Sequence, residues 1–294
     1  MKGRAFQALA CGSALGVASI SSPVRAEPPA PGDSERPPLG LFPTSPDALV
    51  DPNRARSWAA APARTFVSTT VDIGYVYARP RVTLGYGKPF TRFAGVDANP
   101  LVTSSGLGLY GGVRGLLPYF DLRVGARQFW AFTHTYLPPK ESYHRIDLET
   151  EGGSRARFLT YEAELDATLP VGPGAVLLRA SVSRVTGVPA GQSVFEETLH
   201  VIVEPPFVWR ARAGYALNFG PHDQLSVGLV ADLLDVPKRD DSRTLRVGPV
   251  LRFVLSRRVE VRGSFVATVL SPDRLGLVGG DFTELGVRYR WATE

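Results

Sequence analysis

The feature that most constrains this chain is the alternation of apolar and polar residues along segments of about 10 to 14 residues. In one such segment Leu159, Tyr161 and Leu165 share one face, while Glu162 and Glu164 share the other. Side chains of a β-strand point alternately to opposite faces of the sheet, so each segment forms a ribbon with one apolar side. The ribbons are longer than a common soluble strand, about 5 to 6 residues, and match a tilted bilayer-crossing strand, about 9 to 11 residues.

The polar sides of these ribbons carry arginine together with aspartate and glutamate, and almost no lysine. Guanidinium groups suit fixed, partly desolvated ion pairs better than ammonium groups do. The pattern therefore predicts an all-β fold, an antiparallel transmembrane β-barrel with its apolar sides toward lipid and a charge network in its lumen. The residues predicted to form this lumen network are Asp121, Arg123, Arg127, Glu162, Glu164, Asp166, Arg179, Arg210, Arg212, Arg246, Arg252, Arg262, Arg288 and Arg290.

The links between the ribbons are of two lengths, which is typical of barrels with short periplasmic turns and long external loops. We expect about 12 strands, within a range of roughly 10 to 14, because three stretches fit either a strand, a loop or a piece folded into the lumen. These stretches are 88–100, 142–151 and 195–206. Short links are predicted at 115–118, 169–174, 220–223 and 256–258, and long links at about 134–157, 186–206, 236–243 and 270–281.

The first segment has the plan of an export signal. Lys2 and Arg4 precede a small apolar stretch, and Val24-Arg25-Ala26 presents small or apolar residues for cleavage. We expect a signal peptide that is cleaved after about Ala26. The alternatives are a transmembrane anchor, for which the apolar run is short, and a lipoprotein modified at Cys11.

Three regions follow from this organisation. Residues 1–26 form the expected signal peptide, 27–63 a Pro-rich and largely disordered periplasmic segment, and 64–294 the barrel. Proline removes backbone donors and fixes φ, so the second region is predicted to be extended and to act as a spacer or, alternatively, as a tether or partner-binding segment.

Composition excludes several classes of function. The formal net charge of +5 is too small to indicate a nucleic-acid partner without a basic stripe. Cys11 is the single cysteine, so neither a disulfide framework nor a cysteine-ligated metal site is possible. The four histidines lack the spacing of a zinc pair, and we expect no cofactor. They are His134, His144, His200 and His222.

The C-terminal segment Glu284–Trp291 reads as polar, any, Gly, any, any, aromatic, any, aromatic. It resembles the terminal β-signal of bacterial outer-membrane β-barrel proteins, with Gly286, Tyr289 and Trp291 at the positions of the pattern. It departs from that pattern because Ala292-Thr293-Glu294 follow the last aromatic residue. The resemblance covers about residues 65–291 at the level of the class. It implies a Gram-negative-type outer membrane, contact with outer-membrane lipid and insertion by the barrel-assembly machinery.

Two motifs suggest chemistry and also have simpler explanations. Gly106–Gly111 matches GxGxxG, but it lies within an alternating run with no helix after it, so nucleotide binding is not indicated. Glu162, Glu164 and Asp166 share one face and fit acid/base chemistry, a divalent cation or a charged constriction. We favour a structural ladder of carboxylates facing arginines. The arginines expected opposite this ladder include Arg179, Arg210, Arg212 and Arg252.

The sequence thus favours an integral outer-membrane barrel that is either a narrow channel for small polar solutes or a structural protein. One alternative is a barrel hydrolase with a site at the rim, for which the candidates are His134, His144 with Ser142, and His200 with Glu196 or Glu197. The other alternative is a secreted soluble β-sandwich with a binding role. We expect no enzymatic activity, because no spacing links these histidines to a nucleophile.

The export signal makes a direct prediction. Protein purified from the outer membrane should have the mass of a chain that begins at Glu27, and Ala26→Leu should slow this cleavage because the small residue at the exit is lost. Intact-mass spectrometry measures both. A membrane-purified chain that retains Met1, or one that carries lipid on Cys11, would contradict the prediction.

Overall fold

A computed structural model describes residues 62–74, 77–150, 152–220, 224–239, 242–256 and 258–293. The expected signal peptide, nearly all of the Pro-rich segment and His222 lie outside the described residues, as does the side chain of Glu284. The strands are β1 (Arg64–Ile73), β2 (Tyr77–Lys88), β3 (Arg92–Thr103), β4 (Gly106–Leu116), β5 (Phe120–Thr135), β6 (Arg155–Val171), β7 (Gly174–Thr186), β8 (Val194–Glu196), β9 (Val201–Val203), β10 (Phe207–Phe219), β11 (Leu225–Asp235), β12 (Thr244–Val254), β13 (Val259–Leu270) and β14 (Asp281–Ala292).

Twelve of these strands close into one antiparallel barrel, in which each strand pairs with its neighbours along the chain. β7 pairs with β10 across the intervening β8–β9 hairpin, and β1 closes the barrel against β14. The closing pair runs from Ser68 opposite Ala292 to Ile73 opposite Val287. The predicted all-β transmembrane barrel of about 12 strands is confirmed. A soluble β-sandwich is wrong for this chain, because a single sheet closes on itself.

The three ambiguous stretches have three different outcomes. Most of 88–100 belongs to β3, whereas 142–151 contains a short 3-10 helix at Arg145–Leu148. The stretch 195–206 contributes the β8–β9 hairpin, which pairs only within itself and stands apart from the barrel sheet.

The two faces of the barrel differ as the alternation predicts. On β2, Val82, Leu84 and Tyr86 are 46%, 52% and 64% exposed on the outside, whereas Arg79 and Arg81 on the inside are only 4% and 6% exposed. Among the described residues, each of the twelve barrel strands has large apolar side chains exposed on this outer face. An outer surface that is apolar at every second strand position, around a closed sheet, is the surface that a lipid bilayer requires.

The barrel has one end with short turns and one with long loops. The links from β2 to β3, β4 to β5, β6 to β7, β10 to β11 and β12 to β13 are short, and both chain termini of the barrel lie at this end. The long loops at the other end are 136–154, 187–206, 236–243 and 271–280, which follow the predicted long links closely. In outer-membrane barrels the short turns face the periplasm and the long loops face outward.

One irregularity positions a side chain of the lumen. The pairing of β5 with β6 shifts between Trp130 and Thr135, and the backbone N–H of Phe132 donates instead to the carbonyl of Ser105 at 2.7 Å. Such a bulge re-aims the side chains beyond it. Phe132 still faces outward, as Leu122 and Val124 do, whereas His134, which the alternation would also place outside, is buried inside the barrel. None of the described helices is long and apolar enough to cross a membrane.

The lipid-facing surface can be tested with one charge. Leu229 lies outward near the middle of β11, and Leu229→Arg should lower the free energy of unfolding by about 2–4 kcal/mol, the cost of arginine at the bilayer midplane. Unfolding in urea from lipid vesicles, followed by the gel-mobility shift between folded and boiled protein, measures the change.

The matched control is Ile146→Arg, because Ile146 is also exposed but lies in the 136–154 loop. It should change the free energy of unfolding by no more than about 0.5 kcal/mol. Equal effects of the two substitutions would contradict a lipid-facing β11.

Candidate functional site in the barrel lumen

The residues predicted for the lumen network all lie inside the barrel, where their side chains are largely buried. With one exception, each of them is within ion-pair distance of an opposite charge among the described residues. The exception is Arg246, whose Nη1 and Nη2 donate to the backbone carbonyls of Leu199 and His200, both at 2.8 Å. Asp121 pairs with Arg114 of β4 at 2.6 Å, and the other residues of the predicted network fall into three groups around the lumen.

The first group lies between β10, β11 and β14. Arg210 donates to Asp232 from Nε at 3.1 Å and from Nη2 at 2.5 Å, and Arg212 holds the same carboxylate. Both arginines also bind Asp281 at the start of β14. Because β10 and β14 are not neighbours in the sheet, these contacts cross the lumen. These four charges therefore tie β14 to β10 and β11, with which it shares no backbone hydrogen bonds.

The second group follows the row of carboxylates on β6. Glu162 accepts a hydrogen bond from Arg127 at 2.7 Å, Asp166 accepts one from Arg123 at 3.0 Å, and Arg123 also pairs with Glu164. Asp166 is bound by Arg179 of β7 as well. The predicted ladder of carboxylates opposite arginines is thus present, and Arg179 is one of its partners.

Three of the expected partners of this ladder are wrong. Arg210 and Arg212 pair with Asp232 and Asp281, and Arg252 pairs with Glu260 at 3.1 Å. The physical reason is strand register. An arginine binds the carboxylate that lies at the same level along the barrel axis on a neighbouring or facing strand, and the alternation of apolar and polar residues does not specify that level.

The third group surrounds Glu260, near the short-turn end. Arg252 and Arg290 donate to Glu260 Oε2 at 3.1 Å and 2.9 Å, and Arg262 pairs with Oε1. Arg288, next to this group, is held by Asp72 of β1 at 2.9 Å and so joins the last strand of the barrel to the first. One carboxylate shared by several arginines leaves this part of the lumen positively charged.

Several lumen charges were not identified from the sequence. Asp72 and Asp97 lie in strands with weak polar faces, Asp232 lies within an apolar run, and Asp281 was assigned to a loop. Arg79, Arg81 and Arg114 were also missed. Arg79 and Arg81 are two residues apart, on either side of Pro80, and this spacing places both side chains on the same face of a strand. The sequence therefore did contain a signal for them.

The other end of the lumen is filled by the loop 187–206, which we call the plug. Every residue from Ser193 to Val203 is buried. Val194, Leu199, Val201 and Val203 pack against inward-facing residues of β5, β6, β7, β10 and β11. These wall residues include Phe129, Phe158, Val185, Val208 and Leu234. The long-loop half of the lumen is therefore an apolar core that contains the plug.

Above the plug, the long loops form a second apolar cluster, which we call the cap. Phe195 and Ile202 of the plug contact Leu137, Tyr143 and Leu148 of the 136–154 loop and Leu275 of the 271–280 loop. Leu137 and Ser193 exchange backbone hydrogen bonds of 2.9 Å. The plug is thus packed on both sides, by the barrel wall below and by the other loops above.

Polar contacts fix the plug at defined points. Glu196 Oε2 accepts hydrogen bonds from the backbone N–H groups of Thr198 and Leu199 at 2.8 Å and 2.7 Å, which closes the turn at the tip. Glu197 Oε1 lies 2.8 Å from His134 Nδ1, the side chain that the β5 bulge turns inward. Arg246 holds the carbonyls at the end of the same turn.

The surroundings of Glu197 and His200, two buried residues of the plug, shift the pKa of each side chain. Burial raises the pKa of Glu197, but hydrogen bonds from His134 and Ser105 outweigh it and hold the pKa of this carboxyl below its usual value. Burial lowers the pKa of His200, whose Nδ1 lies 3.0 Å from the carbonyl of Val278. Hydrogen bonding thus determines the direction of the pKa shift at Glu197, whereas burial determines it at His200.

The residues considered for a rim hydrolase have separate partners. Ser142 donates to the carbonyl of Pro272 at 2.7 Å, His134 faces Glu197, and His200 faces Val278. His144 is the residue before a 3-10 helix, and its backbone N–H donates to Asp147 at 2.7 Å. His134 and Ser105 both bond to Glu197, so the acid is the central member of that set, and the contacts of these candidates place no histidine between a serine and an acid.

The residues predicted for the assembly signal lie on β14. Tyr289 and Trp291 point outward and are partly exposed, and Gly286 is buried. Their role in assembly stays a prediction.

No protein-family model matches this sequence, and no curated protein matches it. Similar solved structures include an outer membrane channel from Pseudomonas putida F1, at 11% identity over 83% of this chain and 98% of that chain, with a TM-score of 0.38. The NanC porin is similar at 10% identity over 78% and 97%, with a TM-score of 0.35. The outer membrane protein Omp33 of Acinetobacter baumannii is similar at 12% identity over 79% and 99%, with a TM-score of 0.34. The likeness concerns the outer-membrane β-barrel fold as a class.

The shared carboxylate of the first group makes a stability prediction. Asp232→Asn should lower the free energy of unfolding by about 3–5 kcal/mol, because it leaves two buried guanidinium groups with Asp281 as their remaining carboxylate. Urea unfolding in vesicles measures the loss.

Glu204→Gln is the matched control, since Glu204 pairs with Lys238 at 3.0 Å at an exposed position. Its effect should stay below about 1 kcal/mol. If Asp232→Asn lowers the free energy of unfolding by no more than the control does, the buried ion pairs of Asp232 do not stabilise the barrel and the prediction is wrong.

Proposed function

We propose that this chain is a structural outer-membrane β-barrel with a sealed lumen, and not a standing diffusion channel. The observation that carries the proposal is the plug, which occupies the long-loop half of the lumen with all of Ser193–Val203 buried. A pore of this strand number would otherwise leave space for solutes, because side chains alone fill the interior only up to about eight strands.

The packing of the plug supports a stable seal. Val194, Ile202 and Val203 are fully buried, and the plug shares one apolar cluster with the barrel wall and another with the cap. Withdrawal would expose both clusters to water, at about 25 cal/mol for each Å² of apolar surface. The closed conformation is therefore the more stable one, because opening would expose both apolar clusters to water.

The charges below the plug support the same function. Arg210 and Arg212 reach across the lumen from β10 to Asp281 on β14, whereas Arg288 holds Asp72 on the neighbouring strand β1. Breaking a buried pair leaves an uncompensated charge, which is strongly unfavourable. Ion pairs that cross the lumen brace the wall and also narrow any path along it.

A second candidate is a channel that opens when the plug withdraws, and one observation favours it. Among the described wall residues, the arginines facing the lumen outnumber the carboxylates. The arginines are Arg79, Arg81, Arg114, Arg123, Arg127, Arg179, Arg210, Arg212, Arg246, Arg252, Arg262, Arg288 and Arg290. The carboxylates are Asp72, Asp97, Asp121, Glu162, Glu164, Asp166, Asp232, Glu260 and Asp281. A path through such a wall would favour anions.

Planar-bilayer recording tests both candidates. A sealed barrel should give no current steps with the wild-type chain at any applied voltage, and should give steps once residues 190–204 are replaced by a short Gly/Ser link, because the plug is what fills the long-loop half of the lumen. Folding of each variant is checked by the gel-mobility shift. Anion-selective wild-type steps that change with Arg212→Gln would contradict the sealed barrel and establish the gated channel instead, and a folded plug-deleted variant without current steps would contradict the plug as the seal.

A further inference from the structure

We propose that the lumen directly below the plug contains a binding chamber for one small anion of halide size. The chamber is lined by Arg79, Arg81, Arg123 and Arg127 together with Tyr110 and Ser181, and the turn of the plug at Thr198 and Leu199 forms its roof. This inference is independent of the proposed function, because a sealed barrel and a gated channel both contain the chamber.

The size of the chamber limits what it holds. Its free volume is about 20 Å³. That is room for about one water molecule or one ion of similar radius. A sugar acid or a phosphate ester does not fit without movement of the wall, so the chemical class is a monatomic anion.

The polar atoms around this space are mostly donors without a hydrogen-bond partner. Arg79 Nε, Arg123 Nε, the Tyr110 hydroxyl and the Ser181 hydroxyl are buried and have no hydrogen-bond partner, and Arg127 Nη1, which also has none, lies 3.8 Å from Glu196 Oε1. Buried polar groups in native proteins are almost always satisfied, by protein or by a bound water or ion. Five such donors on residues that line one small space call for an acceptor, and an anion accepts from every direction whereas a water molecule must also donate.

One acceptor lies among these atoms. Asn99 Oδ1 is also buried and unpaired. The oxygen and nitrogen of an amide are interchangeable by rotation of the group, and the hydrogen-bond network decides the orientation. With an anion in the chamber the amide turns its NH₂ inward and becomes a further donor.

The charge of the lining also favours an anion. Glu162 and Glu164 line the chamber but are engaged by Arg127 and Arg123. The other two arginines have distant partners: Arg79 Nη2 is 3.5 Å from Asp72, and Arg81 Nε is 3.8 Å from Asp97. Two guanidinium groups are thus only partly neutralised by protein, inside a space that bulk water does not reach.

Two glycines hold the tyrosine in this position. A side chain at Gly112 on β4 or at Gly125 on β5 would collide with the hydroxyl end of Tyr110. Because these two glycines have no Cβ atom, the Tyr110 ring can lie along the inner wall, where Tyr110 lines the chamber. The glycine-rich run of β4 therefore has a steric role in the lumen.

The test measures thermal unfolding of the full chain in detergent, in sodium chloride and in sodium gluconate at equal ionic strength. Gluconate is too large for the chamber. Chloride should raise the midpoint of the gel-mobility transition by about 3 °C or more above gluconate, because a ligand that binds only the folded state stabilises it. Equal midpoints in the two salts would overturn the proposal.

Variants assign the effect to the chamber. The double variant Tyr110→Phe, Ser181→Ala removes two unpaired hydroxyls and leaves every ion pair in place, so the chloride-dependent rise should fall by at least half. Tyr86→Phe, on the exposed outer face, is the control and should keep the full rise. A double variant that responds to chloride as the wild type does would overturn the proposal, since a general salt effect acts on all three proteins alike.

A crystal of the wild-type chain grown in sodium bromide gives a second measurement that needs no variant. An anomalous bromide peak between Arg123, Arg127 and Tyr110 is the expected result. A chamber that holds water only would overturn the proposal, whatever the bilayer recordings show.

Discussion

Backbone hydrogen bonding in hydrocarbon is the constraint on which the rest of this structure depends. No water is present there to pair with an exposed N–H or carbonyl group, so a sheet in the bilayer must close. Here closure is made by six residues of β1 against the end of β14, from Ser68 and Ala292 to Ile73 and Val287. Once the sheet is closed, the alternation of each strand becomes a division between a lipid face and a lumen.

The strand number sets the second problem, which is how to fill the interior. A barrel of about eight strands has an interior that the side chains of its wall can fill, and a barrel of twelve strands has a wider interior. This chain fills the short-turn half with long arginine side chains held by carboxylates, and the long-loop half with the plug. The two solutions differ physically: the first rests on paired charges such as those of Asp232, and the second on apolar contacts such as those of Val203.

The anion chamber lies where these two solutions meet. Above it the turn of the plug contributes Thr198 and Leu199, and below it the ladder of β6 supplies Glu162 and Glu164. Arg127 reaches both halves, since it binds Glu162 of the ladder at 2.7 Å and lies 3.8 Å from Glu196 of the plug. An anion at this junction would complete the hydrogen bonding of both halves, and would do so whether or not the barrel ever opens.

The sequence by itself determined the strands, their two faces and the lengths of the links between them. These are local properties, since an alternating ribbon such as 159–167 has the same faces wherever it is placed. Arginine-rich polar faces further predicted a charged lumen, and the residues named for it do lie inside. None of this depends on which strand faces which across the barrel.

Only the tertiary structure decided which charges meet. Arg210 and Arg252 were expected opposite the carboxylates of β6 and instead bind Asp232 and Glu260. Partner choice depends on the register of neighbouring strands and on the distance across a closed sheet, which alternation with a period of two does not contain. The plug was left open for a related reason: 195–206 fits a strand, a loop or a piece folded into the lumen, and only the walls contributed by five other strands decide for the last of these.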